Sequence, residues 1–181
     1  MDSILVPPTT YPVTIDMVMA YGIIDPLDPN DTVTLPRLEQ LIATGCTLAE
    51  TYTNRALSTQ TRVCLLSEDR SLPTSPVQSI VSAIGTDLSE IDWPLVEGVD
   101  FRITYQTEPA YWEWLITQPN PWKRITVTYV CGFLTATSPP IPQSIIQGIC
   151  QFVMDNFENP SVGLSSAAYA MFRTAAITRI Y

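Results

Sequence analysis

Apolar residues recur along this chain in two distinct periods, and the switches between them divide it into helical and extended stretches. Ile145, Ile146, Ile149, Cys150, Val153, Met154 and Phe157 spread over an arc of roughly 200° at helical spacing, with Gln147, Gln151, Asp155 and Glu158 opposite. The pattern predicts a closing helix over 142–158, because Pro142 fits a first turn, where a missing N–H costs nothing. So broad an arc exceeds what one neighbour covers and requires burial on two sides. Leu35, Leu38, Leu41, Ile42, Gly45, Leu48, Ala49, Tyr52 and Ala56 form a second helical arc, with Pro36 near its start. Gly45 costs about 1 kcal/mol of helix propensity, and close approach of the 142–158 helix would compensate. A short helix begins at Ile15 behind the cap residue Thr14, turns Val18 and Met19 inward and ends at Gly22.

Between these helices the period falls to two. Val63 and Leu65 alternate within 62–67, as do Val77 to Ile84, Phe101 to Tyr105, Tyr111 to Ile116 and Ile125 to Cys131. Trp112 and Trp114 therefore share one face of a strand and Glu113 takes the other. The stretch from Gly85 to Asp100 carries Asp87, Glu90, Asp92, Glu97 and Asp100 without a Lys or Arg, the pattern of a solvated, turn-rich loop. Pro7, Pro8 and Pro12 make 1–13 an extended arm that packs on a neighbour or lies loose. Beyond Pro160 no acidic residue occurs, and Leu164, Ala168, Met171 and Phe172 share one side of a possible helix. A tail over 160–181 of this kind suits insertion into a groove on another subunit, and the folded body is expected to do without it.

The predicted fold class is α+β in a single domain over 1–181. A small bundle of two longer helices and one short helix (14–58 and 142–158) carries an antiparallel β insertion over 60–131, with extended arms at both termini. Leu38, Leu41, Ile42, Tyr52, Ile145, Ile149, Val153 and Phe157 are the expected core and subunit-packing positions of the helices.

The strand ending Thr128-Tyr129-x-x-Gly132, the Pro-rich turn and the closing helix ending Phe157-Glu158-Asn159 resemble the C-terminal half of bacteriophage head-tail connector proteins, also called adaptor or head-completion proteins. The earlier order of short helix, acidic loop and long helix fits the same family over most of the chain. The resemblance implies a structural virion protein of the neck, made in the host bacterial cytoplasm. It would form a homo-oligomeric, dodecameric ring under the portal and offer a docking surface to the next neck or tail-completion protein. It also implies portal docking through the C-terminal segment, here Met171, Phe172, Arg173, Arg179 and Tyr181. The acidic residues Asp87, Glu90, Asp92, Glu97 and Asp100 would then face either the channel or the tail.

Charge and composition narrow the remaining choices. A net charge of −9 argues against gripping phosphate backbones, a task that needs a Lys/Arg surface, and leaves DNA only as cargo passing through an acidic conduit. Hydrophobic residues make up 46% and charged ones only 15%, where soluble domains carry about a quarter charged, so neighbouring subunits are expected to cover surface. Met1 to Thr10 holds Asp2 and two prolines, unlike a signal segment, and no apolar run approaches a membrane span. Cys46, Cys64, Cys131 and Cys150 lack metal-site spacing and read as small buried hydrophobes.

With no histidine and no phosphate-binding glycine motif, neither catalytic residues nor a cofactor or metal is expected. The carboxylates of the Asp25–Asp31 loop lack the EF-hand order of ligands. Hydrolysis by a pair among Asp92, Glu97, Asp100, Glu108 and Glu113 has nothing to fix two of them at a working distance. From another class, a carbohydrate- or peptide-binding β module on Trp112, Trp114 and Trp122 is the alternative reading, with Trp93 nearby.

Overall fold

A computed structural model of the chain describes residues 2–22, 31–66, 70–105, 107–115, 122–133 and 140–176. They form two compact units, each assembled from separated stretches of sequence: one from 9–57 and 135–176, the other from 1–8 and 58–134. The Asp25–Asp28 part of the first acidic loop and the terminal Arg179 and Tyr181 lie outside the described residues.

The helical unit contains α1 (Ile15–Gly22), α2 (Thr34–Thr53), α3 (Gln143–Glu158) and α4 (Ser166–Thr174). Local chemistry starts each helix. The Thr14 hydroxyl accepts from Met17 N–H at 3.3 Å, and Asp31 accepts from Val33 N–H at 2.9 Å and Thr34 N–H at 2.8 Å. Pro142 immediately precedes α3, and the Ser165 hydroxyl accepts from Ala168 N–H at the start of α4. Helix α2 ends where Asn54 takes a left-handed conformation, φ 55°.

Helix α3 packs against α1, α2 and α4, which is why its apolar arc is so broad. A Cβ on Gly45 would lie 3.0 Å from the Phe152 ring and 3.2 Å from Ile149, so the glycine in α2 marks the predicted close approach of α3. Leu38, Ile42, Ile145, Ile149 and Val153 are buried, while Leu41 and Phe157 are half-buried.

Three expectations are corrected here. Among the described residues the bundle has four helices, two long and two short, because the small-residue run after Pro160 folds as α4 against α3. Tyr52 is exposed and meets Tyr169 edge-on at 5.3 Å; Thr53 takes the inward place, its hydroxyl satisfied by the Ala49 carbonyl at 2.7 Å. Residues 2–6 are no free arm but β1 (Asp2–Val6), a strand of the chain's own sheet.

In the β unit, β1, β2 (Gln60–Leu65), β3 (Val77–Thr86), β4 (Asp92–Leu95) and β7 (Arg124–Cys131) form a five-stranded antiparallel sheet in the order β1-β2-β7-β3-β4. A hairpin of β5 (Phe101–Thr104) and β6 (Tyr111–Trp114) forms a second, two-stranded sheet. The central strand β7 buries Val127, Tyr129 and Cys131 at alternate positions. Register sets Asp2 beside Cys64 and Arg62 beside Tyr129 on that inner face. There Arg62 pairs with Asp2 at 2.6 Å, and the Thr74 hydroxyl donates to the same carboxylate oxygen at 2.9 Å. This polar cluster pins the edge strand to the sheet.

Candidate interaction surfaces

The acidic stretch is where sequence and structure part most instructively. It is not only a loop: residues 86–95 form a β3–β4 hairpin, with Thr86 opposite Asp92 and Gly85 opposite Trp93. Each acid has a donor inside the same unit. Asp87 accepts from the N–H groups of Ser89 at 2.8 Å and Ile91 at 3.0 Å and from the Trp93 indole at 3.1 Å, so it organises the turn. The Ile91 N–H and the indole together hold its carboxyl below the usual carboxylate range. Glu90 pairs with Lys123, which lowers its proton affinity in the same way. Asp92 accepts from the Thr86 hydroxyl at 2.7 Å, Asp100 accepts from Val96 N–H at 2.8 Å, and Glu97 accepts from the Tyr105 phenol at 2.7 Å. Burial, followed by the Glu97 carboxylate, raises the Tyr105 phenol far above its ordinary range.

This segment offers solvent both its hydrogen-bonded acids, with Glu90, Asp92 and Glu97 exposed, and a set of apolar side chains. Leu88, Ile91, Trp93, Val96 and Val99 are all exposed, Leu88 at 69% and Trp93 at 51%. Charge drew attention to the stretch in the sequence, and the exposed hydrophobic side chains between the acids went unnoticed. Their spacing follows no helical or strand period, which is why the pattern did not reveal them. At the far edge of the same sheet β1 exposes Ile4, Leu5 and Val6.

The C-terminal positions divide. Phe172 is fully buried in the helical unit, and a Cβ on Gly148 of α3 would meet its ring at 2.6 Å. Met171 is half-buried and Arg173 is exposed in the last turn of α4. Residues 161–176 are thus packed into the helical unit. Asn156 ties it down: its amide donates to the Gly163 carbonyl at 2.7 Å and its oxygen accepts from Gly163 N–H at 3.0 Å. Arg37 adds a guanidinium bonded to the Asn156 and Phe157 carbonyls at 3.3 Å and 2.9 Å and lying 5.1 Å from the Phe157 ring centre.

Trp112 is buried, stacked on Phe101 with ring centres 3.6 Å apart, and meets Trp114 edge-on at 5.3 Å, while Glu113 on the other face pairs with Arg102 at 2.6 Å. Trp122 covers Gly85 so closely that a Cβ there would lie 2.7 Å from the indole. Trp112 is thus a core ring of the β unit, while Trp114 and Trp122 are half-buried. All four cysteines are buried free thiols; desolvation pushes Cys46 and Cys64 up to about 12. Among the described residues no three His, Cys, Asp or Glu side chains gather as metal ligands, and no helix is long and apolar enough to cross a membrane.

No protein-family model and no curated protein matches the chain. Three solved structures share its fold over the whole length, each covering 100% of this chain and 97% of the other. A chain in the neck of an empty gene transfer agent (GTA) particle, computed with C6 symmetry, aligns with a TM-score of 0.73 at 17% identity. A chain in the virion of the native GTA particle aligns at 0.70 and 19%, and one in the neck of the native particle, computed with C12 symmetry, at 0.61 and 19%. The fold of this chain is one found in the neck of a phage-like particle, consistent with the head-tail connector resemblance of its sequence.

Proposed function

We propose that the chain is a non-enzymatic structural protein of the virion neck, a head-tail connector forming a homo-oligomeric ring between portal and tail. The observation that carries this reading is the likeness of the entire chain, helices and sheet together, to chains in the GTA neck structures. The ring would extend the DNA channel from the portal and present a docking surface to the next neck protein. A net charge of −9 suits a wall past which DNA moves without sticking. Twelve copies would match the C12 symmetry with which one of the solved necks was computed.

For the portal contact we retain the C-terminal segment, with a division of labour. Phe172 and Met171 hold α4 to α3, and the exposed Arg173, with Arg179 and Tyr181 beyond it, faces the portal. The tryptophan-based binding module loses support because Trp112 is consumed by Phe101 and Trp114.

The deciding experiment is mass by light scattering on the protein alone and mixed with a portal ring from the same genome. A stoichiometric multi-copy complex in either condition is expected; a single 20.1 kDa chain in both would overturn the connector reading. Arg173→Glu should weaken the portal complex without shifting the unfolding midpoint of the free chain.

A further inference from the structure

We infer that neighbouring copies of this chain meet edge to edge through the β unit, the β1 edge of one copy packing against the 87–99 segment beside β4 of the next. The inference rests on the ring reading above and names the surfaces that build it. Strands β1 and β4 close opposite edges of one five-stranded sheet, about 19 Å apart at ordinary strand spacing. Both edges expose large apolar side chains, and on the β4 side the exposed Glu90, Asp92 and Glu97 stand among them. On one, Leu5 is 60% exposed and Val6 53%; on the other stand Leu88, Ile91 and Trp93. A two-fold dimer needs a single self-complementary patch, whereas a closed ring needs two different patches that meet each other. This sheet supplies the second arrangement.

The contact is made by side chains and not by extending the sheet. Pro94, in the middle of β4, has no N–H to donate, and the Val96 N–H is already taken by Asp100 at 2.8 Å. On the other edge a bulge between Ile4 and Val6 breaks the ladder, and Pro7 and Pro8 follow directly. Those devices block open-ended strand addition while leaving the hydrophobic side chains free. Asp87, Glu90, Asp92, Glu97 and Asp100 each have a donor within their own unit, so every carboxylate keeps a hydrogen-bond partner when the contact closes.

Cross-linking tests this directly, since the native thiols are buried and a short bis-maleimide reads only introduced cysteines. The double variant Leu5→Cys/Leu88→Cys is expected to give a covalent ladder rising to the full ring, and each single variant to stay monomeric on a denaturing gel. A second pair, Val6→Cys/Ile91→Cys, repeats the test should the first disturb the fold, and an unchanged unfolding midpoint verifies both. Dimers from either single variant, or no ladder under conditions where the wild-type chain assembles, would overturn the edge-to-edge contact and leave the ring reading intact. A wild-type chain that stays single, alone and with portal, overturns both.

Discussion

Asn156 and Gly163 exchange two hydrogen bonds, the Asn156 amide donating to the Gly163 carbonyl and its oxygen accepting the Gly163 N–H, at 2.7 Å and 3.0 Å. The same amide donates to the Phe152 carbonyl at 2.8 Å, so one buried side chain joins the last turns of α3 to the turn that starts α4. Replacing it with Leu keeps the bulk and leaves the Gly163 groups unpaired. Asn156→Leu should cost about 1–3 kcal/mol in urea unfolding and speed proteolysis between 159 and 165. Unchanged cleavage would show that the turn is held by something else.

Two glycines face different neighbours and should respond differently to alanine. At Gly45 the added methyl meets Phe152 at 3.0 Å and Ile149 at 3.2 Å, and the helix-propensity gain of about 1 kcal/mol offsets much of the crowding. At Gly148 it meets the Phe172 ring at 2.6 Å and 2.8 Å, and that ring is fully buried. Gly45→Ala is expected near neutral; Gly148→Ala should lose about 1–3 kcal/mol. Hydrogen exchange localised to 166–174 would show that α4 is what gives way.

Acid should loosen the β3–β4 turn before the rest of the unit. Asp87 and Glu90 both have folded-state pKa values below their ordinary ones. In the unfolded chain these carboxylates bind protons more readily, so their stabilisation is complete above the ordinary carboxylate range. It is lost as pH falls through that range and below it, to the depressed folded values. Asp87→Asn should flatten the fall of the thermal midpoint below about pH 4, where unperturbed carboxylates titrate. Carboxyl NMR shifts that titrate normally at both residues would refute the proposed pairing.

Cys46 and Cys64, with thiols pushed up to about 12 by desolvation, should resist alkylation at pH 8 in the folded chain and react promptly once urea exposes them. Mass spectrometry after timed labelling distinguishes the two states. Rapid native labelling at either residue would mean that its strand or helix opens on the labelling timescale.

Much of this fold was legible because burial imposes a period. The broad arc from Ile145 to Phe157 announced several neighbours, and α3 has three; Gly45 announced a close approach, and Phe152 fills it. Alternation placed β2, β3, β5, β6 and β7 within a residue or two at most ends. The rest was hidden by long-range pairing. Nothing local marks Asp2–Val6 as a strand, because its partner is the distant β2, where Ile4 pairs with Arg62. Strand β4 carries Pro94 and lies in an acidic run, both signs that argue against a strand, yet its other side needs no partner. Candidate surfaces were read from charge, which brought out the acids and passed over the exposed hydrophobic residues between them. Asn156 was passed over because a polar residue on an apolar arc looks like an interruption until its hydrogen bonds are seen.

The division of each unit between distant stretches of sequence has a consequence in time. Helix α2 ends at Thr53 and its partner α3 begins at Gln143, so a ribosome adding about 5–20 residues per second leaves Leu38, Ile42 and Cys46 without their α3 partner for several seconds. During that interval the nascent chain carries a naked greasy helix, and a chaperone that shields it would raise the yield of soluble protein more than one acting after release.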